Sequence, residues 1–204
     1  MQVILASSSP RRKELMEKLN IPFSIVVRDV PEIIDKEIDC YHACMNIARA
    51  KAQSVFNETN DNVIVIGSDT IVSLNGKIYG KPKDYEDAYK MISSISGTKH
   101  EVISSVCVLI RKNNRVYEEL TYDKCDVYVS KMTHDEIDDW INKNDVYTRA
   151  GGYAIQDGFG KFVEKIEGDY FSIVGFPLHK VYDILKKNLN NDWAFKKIWY
   201  NEEE

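Results

Sequence analysis

Arg11 and Arg12 stand side by side in ASSSPRRKEL, two cations directly after a Ser-Pro pair. Ser9 followed by Pro10 reads as the N-cap and first residue of a helix. Both guanidiniums therefore fall in a first turn whose unpaired amides and macrodipole favour Asp or Glu. Each misplaced cation costs about 0.3–1 kcal/mol there. An anion at the helix start removes that cost and meets both arginines together with the exposed amides. Lys51 is misplaced in another way: counting 100° per residue from Cys44 puts Tyr41, Ile47, Ala48 and Val55 on one stripe with Lys51 near its middle. Either this lysine buries its stem and snorkels to the helix edge, or its ammonium enters a polar pocket where an anionic ligand offsets its desolvation. Asp69 and Thr70 follow the apolar run NVIVI, either as a turn-capping pair or as an acid and a hydroxyl aimed from the rim of a buried strand. Lys81 leaves a hairpin in GKPKD, where a solvated turn lysine is the plain alternative, and Gln156 interrupts an apolar run. Its amide either satisfies local backbone or reads a base edge through paired donor and acceptor. Cations for phosphate oxygens, with carboxylates for a hard metal, form the toolkit of polyphosphate chemistry.

These residues need rigid elements behind them. Gln2 to Ala6 reads as a buried strand running straight into the helix at Pro10, a strand-turn-helix unit whose polar tip lies where α/β proteins place ligands. That helix carries Leu15, Met16 and Leu19 inward and stops at Asn20. Phe23 to Val27 is expected as a strand, the charged stretch Arg28 to Asp39 as a connection, and Asp39 to Asn57 as the helix carrying Lys51. Asn62 to Ile66 is a β-branched run of the kind covered on both faces. It is expected to break at Gly67-Ser68-Asp69-Thr70 before a hairpin, Ile71 to Leu74 and Lys77 to Tyr79, turning at Asn75-Gly76. A helix capped by Asp84 runs to about Ser96, two long strands meet at Asn113-Asn114, and Thr133 to Glu136 forms a capping box ahead of Ile137, Trp140 and Ile141. His100 and His134 read as structural or exposed. The glycines between Gly151 and Gly175 mark tight turns around short strands, and Pro177 starts a last helix with Leu178, Val181, Tyr182 and Leu185 inward. The spacing GFG is not a dinucleotide fingerprint, and nothing matches a P-loop. Residues 1–189 are expected to form one domain and residues 190–204 a peripheral tail.

Composition narrows the classes. A chain of 204 residues, 44% hydrophobic and 29% charged without long blocks, has the profile of a soluble globular domain. The net charge of −5 argues against broad nucleic-acid affinity, so an anion site must be local. No stretch approaches the roughly 20 apolar residues of a membrane span, and the amino terminus lacks a signal-peptide pattern. A cytoplasmic protein with no membrane partner is the default expectation. Cys40, Cys44, Cys107 and Cys125 show no CxxC spacing. Cys40 and Cys44 share a helix face from which His42 points away, so buried thiols are expected rather than a metal site.

Several blocks in matching order make the chain recognisable. ASSSPRRKEL, IGSDTIV followed by NGKIYGKPKD, SGTKHEVISSV, and AGGYAIQ with FVEKIEGDY and IVGFPL resemble the Maf family of nucleoside triphosphate pyrophosphatases, from about residue 2 to 186. The resemblance implies a two-lobed α/β fold like that of inosine triphosphate pyrophosphatases, with an elongated mixed central sheet and a cleft between the lobes. It implies hydrolysis between the α and β phosphates to a nucleoside monophosphate and pyrophosphate, with a divalent cation, Mg²⁺ or Mn²⁺, and a homodimer. Carried over by motif, Asp69 is the catalytic acid-base residue, and Ser7, Arg12, Glu32, Lys51 and Lys81 line the phosphate and metal site, with Glu32 and Asp69 on the metal. Asp29 and Asp35 lie close enough in sequence to compete with Glu32.

Arg11, Thr70 and Gln156 match the dTTP/UTP branch of that family, where the branch acting on 7-methyl-GTP carries Trp, Gln and Glu. Arg149 and Asp157 depart from the pattern, in which lysine and glycine are usual. Asp157 is expected to disturb the turn beside Gln156 if that turn needs a positive φ. A non-catalytic nucleotide-binding regulator of cell division is the competing class, and a nucleic-acid-binding module is a third that the acidic balance disfavours.

Overall fold

The computed structural model describes residues 1–32, 37–60 and 62–189. Asp35 and the expected tail from residue 190 lie outside the described residues. In chain order the elements are β1 (Gln2–Leu5), α1 (Pro10–Glu17), β2 (Ser24–Ile25), α2 (Cys40–Phe56), β3 (Val63–Leu74), β4 (Lys77–Tyr79), α3 (Tyr85–Ile95), β5 (Lys99–Lys112), β6 (Arg115–Val129), α4 (His134–Lys143), β7 (Val163–Glu167), α5 (Tyr170–Val174) and α6 (Leu178–Leu189). They build one mixed seven-stranded sheet of order β2-β1-β3-β5-β6-β7, with β4 paired to β3. β1 runs parallel to β2 and β3, and the remaining pairs are antiparallel.

Alternation along the strands divides the core between the two sheet faces. Val3, Leu5, Ile64 and Ile66 pack with Leu15, Met16, Val181 and Leu185 from α1 and α6. Their neighbours Ile4, Val63 and Val65 pack on the other face against Ala48, Ala52, Val55 and Phe56 of α2. Farther along the same strands a separate core gathers Val72, Val102 and Val127 with Ile92 of α3, Trp140 of α4, and Phe159. Long β3 and β5 therefore carry two lobes on one sheet, and Asp69 and Thr70 sit on β3 between them.

The helix boundaries follow the local signals. Asp39 caps α2 by accepting from the His42 amide, Asp84 caps α3 through the Asp87 amide, and Thr133 and Glu136 form the reciprocal box on α4. Asn75 and Gly76, like Asn113 and Asn114, take positive φ at the two hairpin tips, as type I′ turns require. Cys40 and Cys44 are buried free thiols, while the His42 ring turns outward to Asp39 at 2.8 Å. His100 is buried against the Tyr153 hydroxyl at 2.6 Å, and burial pushes its imidazole down to about 4, so it is a neutral core residue.

Three expectations are corrected. β3 does not break after Ile66: it continues to Leu74, because β5 pairs with it without interruption from Val63 opposite Arg111 to Ser73 opposite Glu101. Gly67 marks a close approach rather than a turn, since a Cβ there would lie 2.4 Å from the Ala48 carbonyl oxygen of α2. β2 shrinks to Ser24–Ile25, because β1 offers it only Ile4 and Leu5 before turning toward α1. Ser9 has the extended backbone of an N-cap, yet its side chain makes no capping bond; instead its amide donates to Ser7 Oγ at 3.2 Å.

Candidate active site

A cleft of about 640 Å³ opens between the two lobes, within the range of small-molecule sites. Its walls include Ser7, Arg11, Arg12, Glu32, Lys51, Asp69, Thr70, Lys81 and Gln156, so these nine residues share one cavity. The period-2 geometry of β3 then sorts them. Asp69 shares the α2 face with Val63 and Val65, whereas Thr70 shares the opposite face with Ile64 and Ile66.

On the α2 side, Lys51 Nζ donates to Asp69 Oδ1 at 2.7 Å and to Glu32 Oε1 at 2.8 Å. The ammonium thus leaves the apolar stripe for two carboxylates, and the protein itself supplies the compensation that the sequence left to a ligand or to water at the helix edge. Burial pushes the Asp69 carboxyl above its ordinary value; Lys51 and Arg12 oppose the rise and Glu32 adds to it. For Glu32 burial also acts upward, but the Lys51 hydrogen bond and the charges of Lys51, Lys81 and Arg12 outweigh it and hold that carboxyl low. Asp29 also lines the cleft, but the hydrogen bond from Lys51 is accepted by Glu32. Cys44, just behind Asp69, is a poor nucleophile: burial and the Asp69 charge push its thiol up to about 12.

On the α1 side, Arg12 is fixed at every nitrogen. Nε donates to the Gly175 carbonyl at 3.0 Å, Nη1 to Ser7 Oγ at 3.4 Å, and Nη2 to Thr70 Oγ1 at 3.2 Å. Each Nη carries two hydrogens, so one on each is left for an acceptor in the cleft. Lys81, exposed after β4, completes the basic lining.

At the far end, Gln156 is exposed and makes no side-chain hydrogen bond among the described residues, which sets aside the satisfied structural amide. Arg11 is half-buried there; burial and then Arg149 pull its guanidinium below the ordinary value, with Asp157 opposing. The two departures from the family pattern turn out to be partners, since Arg149 Nη2 pairs with Asp157 Oδ2 at 2.7 Å. The positive φ of that turn falls on Gly158, at 85°, and not on Asp157, so the aspartate sits in the turn without that strain. Ser104 and Gly175, which complete the Arg12 network, were not read from the sequence as site residues; Gly175 was read only as a turn glycine. The signal for Ser104 was the polar pair Ser104-Ser105 inside an otherwise apolar strand.

A two-cored mixed sheet whose cleft sets guanidiniums and an ammonium around paired carboxylates defines a class of nucleotide-sized anion pockets on an α/β scaffold. The model of the Maf-like protein family matches residues 2–188, and the chain belongs to that family. It is 39% identical over 204 residues to a dTTP/UTP pyrophosphatase of Caldanaerobacter subterraneus subsp. tengcongensis, covering 99% of this chain and 96% of that protein. It is 41% identical over 191 residues to a dTTP/UTP pyrophosphatase of Christiangramia forsetii, covering 93% and 95%. Among solved structures, a HAM1 protein from Coxiella burnetii superposes with a TM-score of 0.51 at 11% identity, over 92% of this chain and 99% of that one, a likeness of fold.

Proposed function

We propose that this protein hydrolyses dTTP and UTP at the α–β phosphoanhydride, releasing the monophosphate and pyrophosphate. The observation that carries the reading is the convergence of Lys51, Asp69 and Glu32 in the same cleft as Arg12, whose two spare N–H groups suit phosphate oxygens. The curated relatives named for that activity over nearly their whole length support it.

Asp69 and Glu32 fit a divalent cation, because two hard carboxylates converge on the single point now held by the Lys51 ammonium. Mg²⁺ or Mn²⁺ bound by them supplies charge stabilisation to phosphate oxygens. Asp69, its carboxyl raised by burial, is the base that accepts a proton from water attacking the α-phosphorus. Lys51, Arg12 and Lys81 neutralise charge on the departing pyrophosphate, and Ser7 holds Arg12 in place. Arg11 and Gln156 meet the base: a glutamine amide matches the carbonyl and N–H of a uracil-type edge. Thr70, which the resemblance groups with Arg11 and Gln156, accepts a hydrogen bond from Arg12. The homodimer implied by the resemblance belongs to the same reading, as does a role without nucleic-acid or membrane partners.

The test is phosphate detection after added inorganic pyrophosphatase, across a panel of nucleoside triphosphates with Mg²⁺ or Mn²⁺. dTTP and UTP are expected to give signal well above purine triphosphates and CTP. Tight nucleotide binding with no release from any triphosphate would favour the non-catalytic regulator.

A further inference from the structure

Thr70 belongs by resemblance to the residues that choose the base, yet its hydroxyl is committed elsewhere. Ser104 lies directly opposite Thr70 in the β3–β5 ladder and is fully buried. Ser104 Oγ is 2.6 Å from the Ser172 carbonyl oxygen. A carbonyl only accepts, so the single Ser104 proton lies on that bond. Thr70 Oγ1 stands 2.9 Å from Ser104 Oγ and 3.3 Å from the Gly175 carbonyl oxygen. With the Ser104 proton spent, the Thr70 proton goes to Ser104 Oγ, the nearer of the two acceptors and the one not already receiving Arg12 Nε, so it stays inside the protein. Lone-pair density on Thr70 Oγ1 then accepts from Arg12 Nη2 at 3.2 Å.

The anchor of this relay is rigid. α5 is capped by Asp169, which accepts from the Ser172 amide at 2.9 Å, and the single Ser172 hydroxyl proton lies between Asp123 at 2.8 Å and Asp169 at 2.9 Å. α5 closes on Gly175, at φ 121°, whose carbonyl receives Arg12 Nε at 3.0 Å. A Cβ at Gly175 would stand 3.3 Å from Thr70 Oγ1. The ring Gly175–Arg12–Thr70–Ser104–Ser172 thus starts and ends on one short helix, and it closes across α1, β3 and β5. Alternation on β3 turns Thr70 toward this ring and away from the Lys51 and Asp69 pair.

We infer that Ser104 and Thr70 are positioning residues for Arg12: Ser104 takes the Thr70 proton inward, so that Thr70 presents an acceptor that holds the guanidinium with its spare N–H groups toward the phosphates. Thr70 has no hydrogen left for a base carbonyl, so its effect is on the phosphate end of the substrate. The inference rests on the pyrophosphatase reading and assigns Ser104 a positioning role.

The test measures kcat and KM for UTP, dTTP and CTP, with pyrophosphate affinity by calorimetry, in Thr70→Val, Thr70→Ser, Ser104→Ala and the double variant Thr70→Val/Ser104→Ala. Thr70→Val should lower kcat/KM for all three substrates by about tenfold, as expected for losing a hydrogen bond to a charged group. The ratio of UTP to CTP should stay within about twofold of wild type, and pyrophosphate binding should weaken in parallel. Thr70→Ser should recover most of the loss, and Ser104→Ala should go in the same direction. The double variant should be no worse than Thr70→Val alone, because both act through one proton. A Thr70→Val enzyme with altered base preference, or one that is unimpaired, overturns the inference. Additive losses in the double variant do the same. If Ser104→Ala does not fold, Thr70→Val and its Ser rescue still decide. Wild type that releases no pyrophosphate from any triphosphate contradicts the proposed function instead.

Discussion

At the scale of single residues, the site is a set of costs that offset one another. Lys51 sits in an apolar helix face, and Asp69 is buried on the strand beneath it; each charge is tolerable because the other is 2.7 Å away. Removing one partner of such a pair costs several kcal/mol because it strands the other. Lys51→Met is therefore expected to lose both turnover and about 3 kcal/mol of stability, and Lys51→Met/Asp69→Asn to regain most of the stability while remaining inactive. Denaturant unfolding of both variants checks this. A Lys51→Met protein as stable as wild type would show that the ion pair does not hold the two elements together. The arginine pair at the start of α1 shows the same economy. Arg12 is anchored by Ser7, Thr70 and Gly175, whereas Arg11 remains desolvated beside Arg149. The first-turn cations were thus legible as an anomaly, and their division of labour became visible only with the partners that chain separation hides, Gly175 lying 163 residues from Arg12.

At the scale of elements, the site depends on how closely α2 lies on β3. Gly67 permits that approach, and a methyl group there would meet the Ala48 carbonyl at 2.4 Å and the Ala52 amide at 2.5 Å. Both are backbone atoms that cannot swing aside. Gly67→Ala should cost about 1–3 kcal/mol and should lower kcat by shifting Lys51 away from Asp69, read as a reduced melting temperature together with reduced turnover. A fully active, fully stable variant would mean that the helix can move without moving the site. This glycine also explains which elements could be read in advance. The caps at Asp84 and Thr133, the turn at Asn75 and the long antiparallel hairpin turning at Asn113-Asn114 carry local chemistry and were legible from those residues. The continuity of β3 was not, because Gly67, Ser68 and Asp69 have the composition of a turn, and only pairing with β5 makes them strand. β2 was over-read for the converse reason: its residues are apolar enough for a longer strand, but only Ile4 and Leu5 of β1 pair with it. The short helix α5, which anchors Arg12, has only five residues and left little periodicity to detect.

At the scale of the whole molecule, one sheet passes through two hydrophobic cores and leaves a cleft where the lobes meet. A chain of net charge −5 places Arg11, Arg12, Arg28, Lys51, Lys81 and Arg149 in the lining of that cleft. The multi-block likeness to the Maf family made this architecture legible from the sequence, and the family match over residues 2–188 agrees with it. The geometry adds direction: Asp69 and Glu32 face Lys51 on one side of β3, and Arg12 faces Thr70 on the other, so under the proposed function a polyphosphate lying across the strand would meet the Asp69 carboxylate on one side and the Arg12 guanidinium on the other. The most direct test of this account is ³¹P NMR of UTP incubated with the protein and Mg²⁺. Cleavage at the α–β bond gives equimolar resonances of UMP and pyrophosphate, lost in Asp69→Asn while UTP binding persists. Resonances of UDP and orthophosphate, or undiminished cleavage by Asp69→Asn, would contradict it.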